Sequence, residues 1–172
     1  MHRSEIAQRV VAVAQLEGDF LLRSGQRSDT YFDKYRIEAD PQLLAAVTQL
    51  MVPLVPDDTE VLAGLELGGV PMVTALSAAT GLPAAFVRKE AKTYGTENLA
   101  EGASIEGRNV LVVEDVVTSG GQLITSVGDL RERGAKIHTA VCIIDRQQGG
   151  AEALSKDDVT LSPVFTRREL ET

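Results

Sequence analysis

Short apolar runs alternate with helix-like segments along most of this chain, and this alternation constrains the fold more than any other feature. The runs cover residues 61–65, 82–87, 110–113 and 137–144, with a weaker one at 159–165. Runs that are apolar throughout are typical of parallel strands covered on both faces, and the intervening helices supply right-handed crossovers. The sequence therefore predicts an α/β fold: a doubly wound, mostly parallel sheet with helices on both faces.

The first 40 residues do not follow this alternation. Ser4 is placed to cap a helix over residues 5–17 that ends before a glycine,. The aromatic stretch at residues 31–35 follows a polar turn and indicates a hairpin or an extended arm,. A length of 172 residues is typical of one domain,. We therefore expect a single domain over residues 1–172, with a small N-terminal arm over residues 1–40.

The chain is acidic, with 17 Lys and Arg against 25 Asp and Glu and a formal net charge of −8. Nucleic acids and anionic membranes are bound through an excess of basic side chains, so this balance argues against both as partners. The sequence has one cysteine, no apolar run long enough to span a membrane and no apolar signal core near its start,. We therefore expect a cytoplasmic protein that binds any anionic ligand through local positive charge.

The most informative segment directly follows the third apolar run. Two carboxylates, Glu114 and Asp115, are followed by two valines and by a small glycine-rich turn over residues 118–122 that opens a helix. Backbone N–H groups at such a helix start bind anions, and glycine lets a phosphate approach the backbone closely. Carboxylates beside a phosphate are favourable only where they bind hydroxyls or a cation. The combination predicts a site for a phosphorylated sugar, since the spacing fits neither a Walker loop nor a dinucleotide fingerprint.

This segment resembles the motif with which type I phosphoribosyltransferases bind phosphoribosyl diphosphate (PRPP). The resemblance implies the type I phosphoribosyltransferase fold, with the acidic pair on the ribose hydroxyls and the turn on the 5′-phosphate. The PRPP-binding residues that it implies are Glu114, Asp115, Val116, Val117, Thr118, Ser119, Gly120, Gly121 and Gln122.

A basic loop after the second apolar run narrows the resemblance. Arg88, Lys89 and Lys92 place three cations within five residues, as expected of a mobile lid that neutralises a diphosphate,. The loop resembles the catalytic loop of the orotate phosphoribosyltransferases, with Tyr94 where that family usually has histidine. Tyrosine can still donate a hydrogen bond to phosphate but carries no charge at neutral pH. The resemblance implies that Arg88, Lys89, Lys92 and Tyr94 bind PRPP, and that the first three act with Asp115 in catalysis.

The same resemblance implies a homodimer in which the loop from Arg88 to Tyr94 is shared across the subunits. The N-terminal arm resembles that family too, through Phe-x-Leu-Arg-Ser-Gly and the aromatic pair that follows. Orotate is a flat anionic pyrimidine, which favours a cation and an aromatic or guanidinium face. The arm is therefore expected to form a hood over the base. The implied orotate-binding residues are Arg23, Tyr31, Phe32, Thr118 and Arg146.

Leu67, Gly68 and Gly69 follow the first apolar run, where the family has its diphosphate-binding loop. Many members carry a lysine there, and this chain has none. Only backbone N–H groups could bind the diphosphate at this point, which makes it the weaker part of the site. The implied cofactor is Mg²⁺, with no direct protein ligand, because it would be held by PRPP oxygens and water.

The implied reaction transfers the 5-phosphoribosyl group of PRPP to orotate, giving orotidine 5′-phosphate and diphosphate, a step of de novo pyrimidine synthesis. Three alternatives stay open at this point. A phosphoribosyltransferase for another nucleobase would not need both Arg23 and Arg146. A PRPP-binding regulator usually needs a nucleic-acid surface, which an acidic chain does not favour. A simple phosphate-binding module would leave the basic loop unexplained.

Overall fold

The computed structural model describes residues 1–21, 25, 27–91 and 98–171. In chain order its elements are α1 (Arg3–Ala14), β1 (Gln15–Leu21), β2 (Arg27–Phe32), α2 (Tyr35–Ala39), α3 (Pro41–Met51), a 3-10 turn (Val52–Leu54), β3 (Val61–Leu65), α4 (Gly69–Thr80), β4 (Ala84–Val87), β5 (Ala100–Gly102), β6 (Asn109–Val117), α5 (Gly121–Glu132), β7 (Lys136–Asp145), α6 (Gly150–Lys156), β8 (Thr160–Thr166) and α7 (Arg167–Leu170).

The large sheet has the strand order β5-β4-β3-β6-β7-β8. It is parallel except at one edge, where β5 pairs antiparallel with β4. Buried side chains form one apolar cluster on each face, with α1 to α4 on one face and α5 and α6 on the other. The structure confirms the predicted doubly wound α/β architecture.

The winding of the chain changes direction between β3 and β6. The connection through α4 leads from β3 to β4, whereas the connection through α5 leads from β6 to β7 on the other side. Leu76 of α4 and Leu123 of α5 belong to clusters on opposite faces of the sheet. The segments after β3 and β6 therefore diverge and leave a crevice at the carboxyl ends of these strands. Open α/β sheets bind their ligands at such a switch point.

Two glycines let α4 start close against the sheet. A Cβ atom on Gly69, the first residue of α4, would lie 2.5 Å from the carbonyl oxygen of Val113 in β6. A Cβ atom on Gly64 in β3 would lie 2.5 Å from Cγ1 of Val73 in α4. Any side chain at either position would push close-packed elements apart. The glycines thus keep the segment after β3 beside the end of β6.

The N-terminal arm consists of α1, a two-stranded antiparallel sheet of β1 and β2, and α2. The expected helix over residues 5–17 is wrong at both ends. Helix α1 begins earlier, at Arg3 with His2 rather than Ser4 before it, and it ends earlier, at Ala14. Leu16 lies in β1 opposite Tyr31 of β2. Pairing with β2 satisfies the backbone of this segment and packs its side chains across the strands, which outweighs the helical periodicity.

The arm packs on the sheet through α1 and α2, whose Val10 and Ile37 are fully buried in the same cluster as side chains of α3 and α4.

At the opposite end of the sequence, the weak run at residues 159–165 forms a continuous strand, β8, at the edge of the sheet. Pro163 fits there because an edge strand needs fewer backbone donors. Within the described ranges, no helix combines the length and the apolar character that a membrane crossing requires.

Candidate active site

The two carboxylates of the acidic pair lie inside β6 rather than after it. The pairing of β6 with β3 stops at Val113, whereas its pairing with β7 continues to Val117. Where β3 leaves β6, the backbone N–H of Asp115 donates to Oε1 of Glu114 at 3.0 Å. The N–H of Val116 donates to Oδ1 of Asp115 at 2.6 Å. The acidic pair therefore satisfies backbone donors where these strands part, at the crevice.

Asp115 is fully buried, and its carboxylate faces a cation. The ammonium group of Lys34 donates to Oδ1 at 2.9 Å and lies 2.7 Å from Oδ2. The same carboxylate lies so close to Gly68 that a Cβ atom there would overlap it. The structure thus brings together the acidic pair of β6 and the glycine segment after β3, which belong to two separate motifs in the sequence.

Burial changes the protonation of the carboxyl groups around Asp115. Burial, and then the charge of Asp115, raises the pKa of Glu114 to about 8. Glu38 of α2 is affected by the same causes in the same order, and its pKa is also raised to about 8. Burial works against the charged form of Lys34, but the hydrogen bond and charge of Asp115 outweigh it, so the pKa of Lys34 is raised. Near neutral pH the cluster therefore holds protons on Glu38 and Glu114 beside one ion pair.

The turn after β6 carries the groups expected of a phosphate site. Thr118 and Ser119 are exposed, and Gly120 has a φ of +79° just before α5 begins. The first N–H groups of a helix have no partner within it and favour an anion. A Cβ atom on Gly120 would lie 3.2 Å from the backbone of Gly150, at the start of α6. Sequence reasoning missed Gly150, although Gly149–Gly150 follows β7 as Gly120–Gly121 follows β6.

The basic loop begins at the carboxyl end of β4. Nε of Arg88 lies 3.4 Å from Oε1 of Glu101. The backbone N–H of Lys89 donates to Oε1 of Glu66 at 2.7 Å. Glu66 immediately precedes the glycine segment at residues 67–69, so this hydrogen bond links the start of the basic loop to that segment. Lys92 and Tyr94 lie outside the described residues, and their implied roles stay predictions.

A cavity of about 560 Å³ opens between the N-terminal arm and the ends of β7 and β8. The guanidinium carbon of Arg146 lies 5.5 Å from the centre of the Phe32 ring. Burial, and then the neighbouring charge of Arg167, lowers the pKa of Arg146. Nε of Arg146 is buried with no hydrogen-bond partner among the described residues, so it can donate to a ligand. The lining residues are Val11, Gln15, Ser28, Thr30, Tyr31, Phe32, Ile144, Arg146, Arg167, Leu170 and Glu171.

The cavity unites three of the five implied orotate-binding residues, Tyr31, Phe32 and Arg146. Arg23 lies outside the described residues. Thr118 lies in the turn after β6 and is not part of the cavity lining, so its contact with orotate stays a prediction. Arg167 is a lining cation that sequence reasoning missed. The signal was a pair of arginines directly after the last predicted strand.

Comparison with known proteins decides the family. The family described as "Phosphoribosyl transferase domain" matches residues 35–168 of this chain. An orotate phosphoribosyltransferase from Nocardioides sp. is 49% identical over 166 residues, which cover 96% of this chain and 93% of that protein. This chain belongs to the orotate phosphoribosyltransferase family. The family resemblance and the enzyme class that the sequence motifs implied are thereby confirmed.

Solved structures of orotate phosphoribosyltransferases agree with this membership. The Mycobacterium tuberculosis H37Rv enzyme in complex with Fe(III) dicitrate superposes with a TM-score of 0.90 at 34% identity, covering 99% of both chains. The same enzyme in complex with PRPP superposes with a TM-score of 0.85 at 31% identity, again covering 99% of both chains. The fold is therefore that of the type I phosphoribosyltransferases, as expected.

Proposed function

We propose that this orotate phosphoribosyltransferase binds PRPP and orotate at the carboxyl edge of its sheet and converts them into orotidine 5′-phosphate and diphosphate. The observation that carries the proposal is the meeting of Asp115 with Gly68 at the switch point between β3 and β6. It places a carboxylate for hydroxyl groups, a glycine segment and a helix-opening turn around one crevice. Such a crevice suits a sugar that carries phosphate groups at both ends.

In this proposal the ribose and its 5′-phosphate lie along β6 and α5. Ribose hydroxyls donate to Asp115, while Glu114 adds a protonated carboxyl group beside it. The 5′-phosphate accepts hydrogen bonds from the backbone of residues 118–122 and from the exposed hydroxyls of Thr118 and Ser119. Val116 and Val117 position this turn through their pairing with β7.

The chemical step breaks the bond between C1 of the ribose and the diphosphate and forms a bond from C1 to a ring nitrogen of orotate, whose proton passes to the leaving diphosphate or to water. The leaving diphosphate takes the bonding electron pair, so the sugar becomes cationic in the transition state. The protein contributes positioning and charge stabilisation. Arg88, Lys89 and Lys92 would neutralise the diphosphate as it leaves, and N–H groups of residues 67–69 would bind it from the other side.

We assign orotate to the cavity beneath the N-terminal arm. The ring would lie against the Arg146 guanidinium and near the Phe32 ring, which are 5.5 Å apart. The unpartnered Nε of Arg146 would donate to an oxygen of the base. Tyr31 and Arg23 would complete the pocket, so that residues 1–40 act as a hood within a single domain. Two cations near one small base favour the anionic orotate over neutral nucleobases.

Mg²⁺ is proposed to enter with PRPP. The residues fit a metal held by substrate and water, because both oxygens of Asp115 already face Lys34,. No group of three or more His, Cys, Asp or Glu in the described ranges is arranged to hold a metal ion. When bound, Mg²⁺ would supply positive charge to the leaving diphosphate.

We further propose a cytoplasmic homodimer in which the loop over residues 88–94 completes the neighbouring subunit's site. The test mixes two inactive variants, Lys92→Ala and Asp115→Asn, after mild dissociation and reassociation. A shared loop predicts that about a quarter of the sites regain function, because half of the dimers are mixed and each contains one intact site. A mixture that stays inactive while mixed dimers form contradicts the shared loop.

The proposed reaction is tested by following the loss of orotate absorbance after PRPP and Mg²⁺ are added. Adenine and uracil serve as control bases, and omission of Mg²⁺ tests the cofactor. Orotate consumption with formation of orotidine 5′-phosphate is the expected result. Consumption of another base instead would assign a different nucleobase. Binding of PRPP without turnover of any base would favour a regulator.

A further inference from the structure

Lys34 lies in the aromatic stretch at residues 31–35 but among none of the implied binding residues, yet it forms an ion pair with the acidic pair. It directly precedes α2, and its ammonium group lies 2.9 Å and 2.7 Å from the two oxygens of Asp115. The side chain of Asp115 is 0% exposed and that of Lys34 is 34% exposed. The lysine therefore reaches from the surface to a fully buried carboxylate.

Stability alone is a weak reason for this ion pair. Removing two charges from water costs about as much as their attraction returns, and apolar replacements of buried pairs are often neutral or stabilising. The location of the pair is more informative. Asp115 contacts Gly68 through the same carboxylate, and the segment at residues 67–69 carries no cation of its own. Lys34 thus brings positive charge close to the segment at residues 67–69, which has no basic residue of its own.

Lys34 is the cation in a cluster of otherwise acidic groups. Oε1 of Glu38 and Oδ2 of Asp115 are buried, and neither has a well-oriented donor among the described residues. A proton held by Glu38 can satisfy both oxygens. The other ionisable groups that face this corner are Glu114 of β6, Asp33 just before α2, and Tyr35. Only Lys34 among these groups is cationic, and its ammonium group contacts Asp115.

We propose that Lys34 is a positioning residue of the PRPP site, which holds the Asp115 carboxylate oriented beside Gly68 so that it accepts the ribose hydroxyls. The proposal rests on the proposed function, because it takes Asp115 as the ribose-binding carboxylate. Without the lysine, Asp115 loses the orientation that the ammonium group imposes. Binding of PRPP then weakens, whereas the orotate cavity, which Lys34 does not line, keeps its affinity.

The test compares Lys34→Met, Lys34→Arg and the control Lys156→Met, which changes an exposed lysine at the end of α6. For Lys34→Met we expect kcat/KM for PRPP to fall by about 100-fold, the loss typical of a catalytic group displaced by about 1 Å. The KM for orotate at saturating PRPP should change by less than about threefold, a range that context alone can produce. Lys34→Arg should restore most of the activity, and Lys156→Met should match the unmodified enzyme.

The pH profile separates positioning from a purely structural role. Loss of the Lys34 ammonium group removes the positive charge that favours ionised carboxylates in this cluster, so the acid limb of kcat/KM for PRPP should move to higher pH in Lys34→Met and stay in place in Lys34→Arg. Lower thermal stability without this shift, or an equal loss of orotate affinity, overturns the proposal. If Lys34→Met cannot be purified, Lys34→Gln, which lacks the charge, must show the same shift.

The unmodified enzyme distinguishes failure of this proposal from failure of the proposed function. Absence of orotate turnover in the unmodified enzyme would reject the proposed function. Normal turnover in both the unmodified enzyme and Lys34→Met would reject only the role of Lys34.

Discussion

Adding a single methyl group at Gly68 should reduce the activity of this protein much more severely than its ability to fold. The carboxylate of Asp115 occupies the space into which a Cβ atom would project, with Oδ1 at 3.0 Å and Oδ2 closer still. In Gly68→Ala, one of these groups must move by more than about 1 Å, because contacts in a close-packed interior allow no such overlap. Asp115 is also paired with Lys34, so its movement would disturb that ion pair.

The expected cost has two parts. Overpacking of a well-packed site destabilises a protein by about 1–3 kcal/mol. A displacement of about 1 Å in a catalytic group costs about 100-fold in rate. We therefore expect Gly68→Ala to fold, to lose about 1–3 kcal/mol in urea unfolding with an unchanged m-value, and to lose about 100-fold in kcat/KM for PRPP.

The matched control is Gly128→Ala. Gly128 is exposed within α5, and a Cβ atom there would contact nothing within 4 Å. Alanine in a helix interior is favoured over glycine by about 0.5–1 kcal/mol, so this variant should be slightly more stable and fully active. If Gly68→Ala keeps kcat/KM within about threefold of the unmodified enzyme, then Asp115 does not have to stand where the structure places it.

Three further perturbations test other parts of the site. Because the pKa of Glu114 is raised, the folded state keeps a proton that the unfolded chain loses between about pH 4.5 and about pH 8, so the free energy of unfolding should fall over this range,. Urea unfolding midpoints measured at several pH values should decline less steeply for Glu114→Gln than for the unmodified protein. Lys92→Ala should lower kcat by about 100-fold or more with an unchanged thermal midpoint, and near-normal turnover would reject the catalytic role of the basic loop. Arg146→Ala should raise the KM for orotate by about tenfold or more, the loss of one charged contact, with little change in the KM for PRPP, and an unchanged orotate KM would place the base elsewhere.

The parts of the site that lie close together in sequence could be predicted from the sequence. Glu114, Asp115 and the turn at residues 118–122 form one contiguous segment, and its residue types alone predict a site for a phosphorylated sugar. The strand that carries the segment was expected to stop before the acidic pair, whereas β6 continues to Val117. The extension depends on pairing with β7, a tertiary interaction that the apolar pattern of β6 alone does not report.

The contribution of Lys34 and Glu38 could not be predicted in this way. Lys34 is 81 positions from Asp115 in sequence, and nothing local marks it as different from a solvated lysine. It reaches Asp115 because α2 packs against both α1 and α3, a placement set by burial of Ile37 and its neighbours. The end of α1 was mispredicted for a related reason, since the competing partner strand β2 follows only after a turn.

The contact between Gly120 and Gly150 has a consequence for which nucleotides the enzyme can make. The turns after β6 and β7 meet through glycine backbones, and the N–H of Arg146 donates to the carbonyl oxygen of Val117 at 2.9 Å. The span from the turn at residues 118–122 to the backbone of Arg146 is therefore set by main-chain geometry. If the turn binds the 5′-phosphate and Arg146 the base, as proposed, side-chain changes should alter how tightly a base is bound more than how far it lies from the 5′-phosphate.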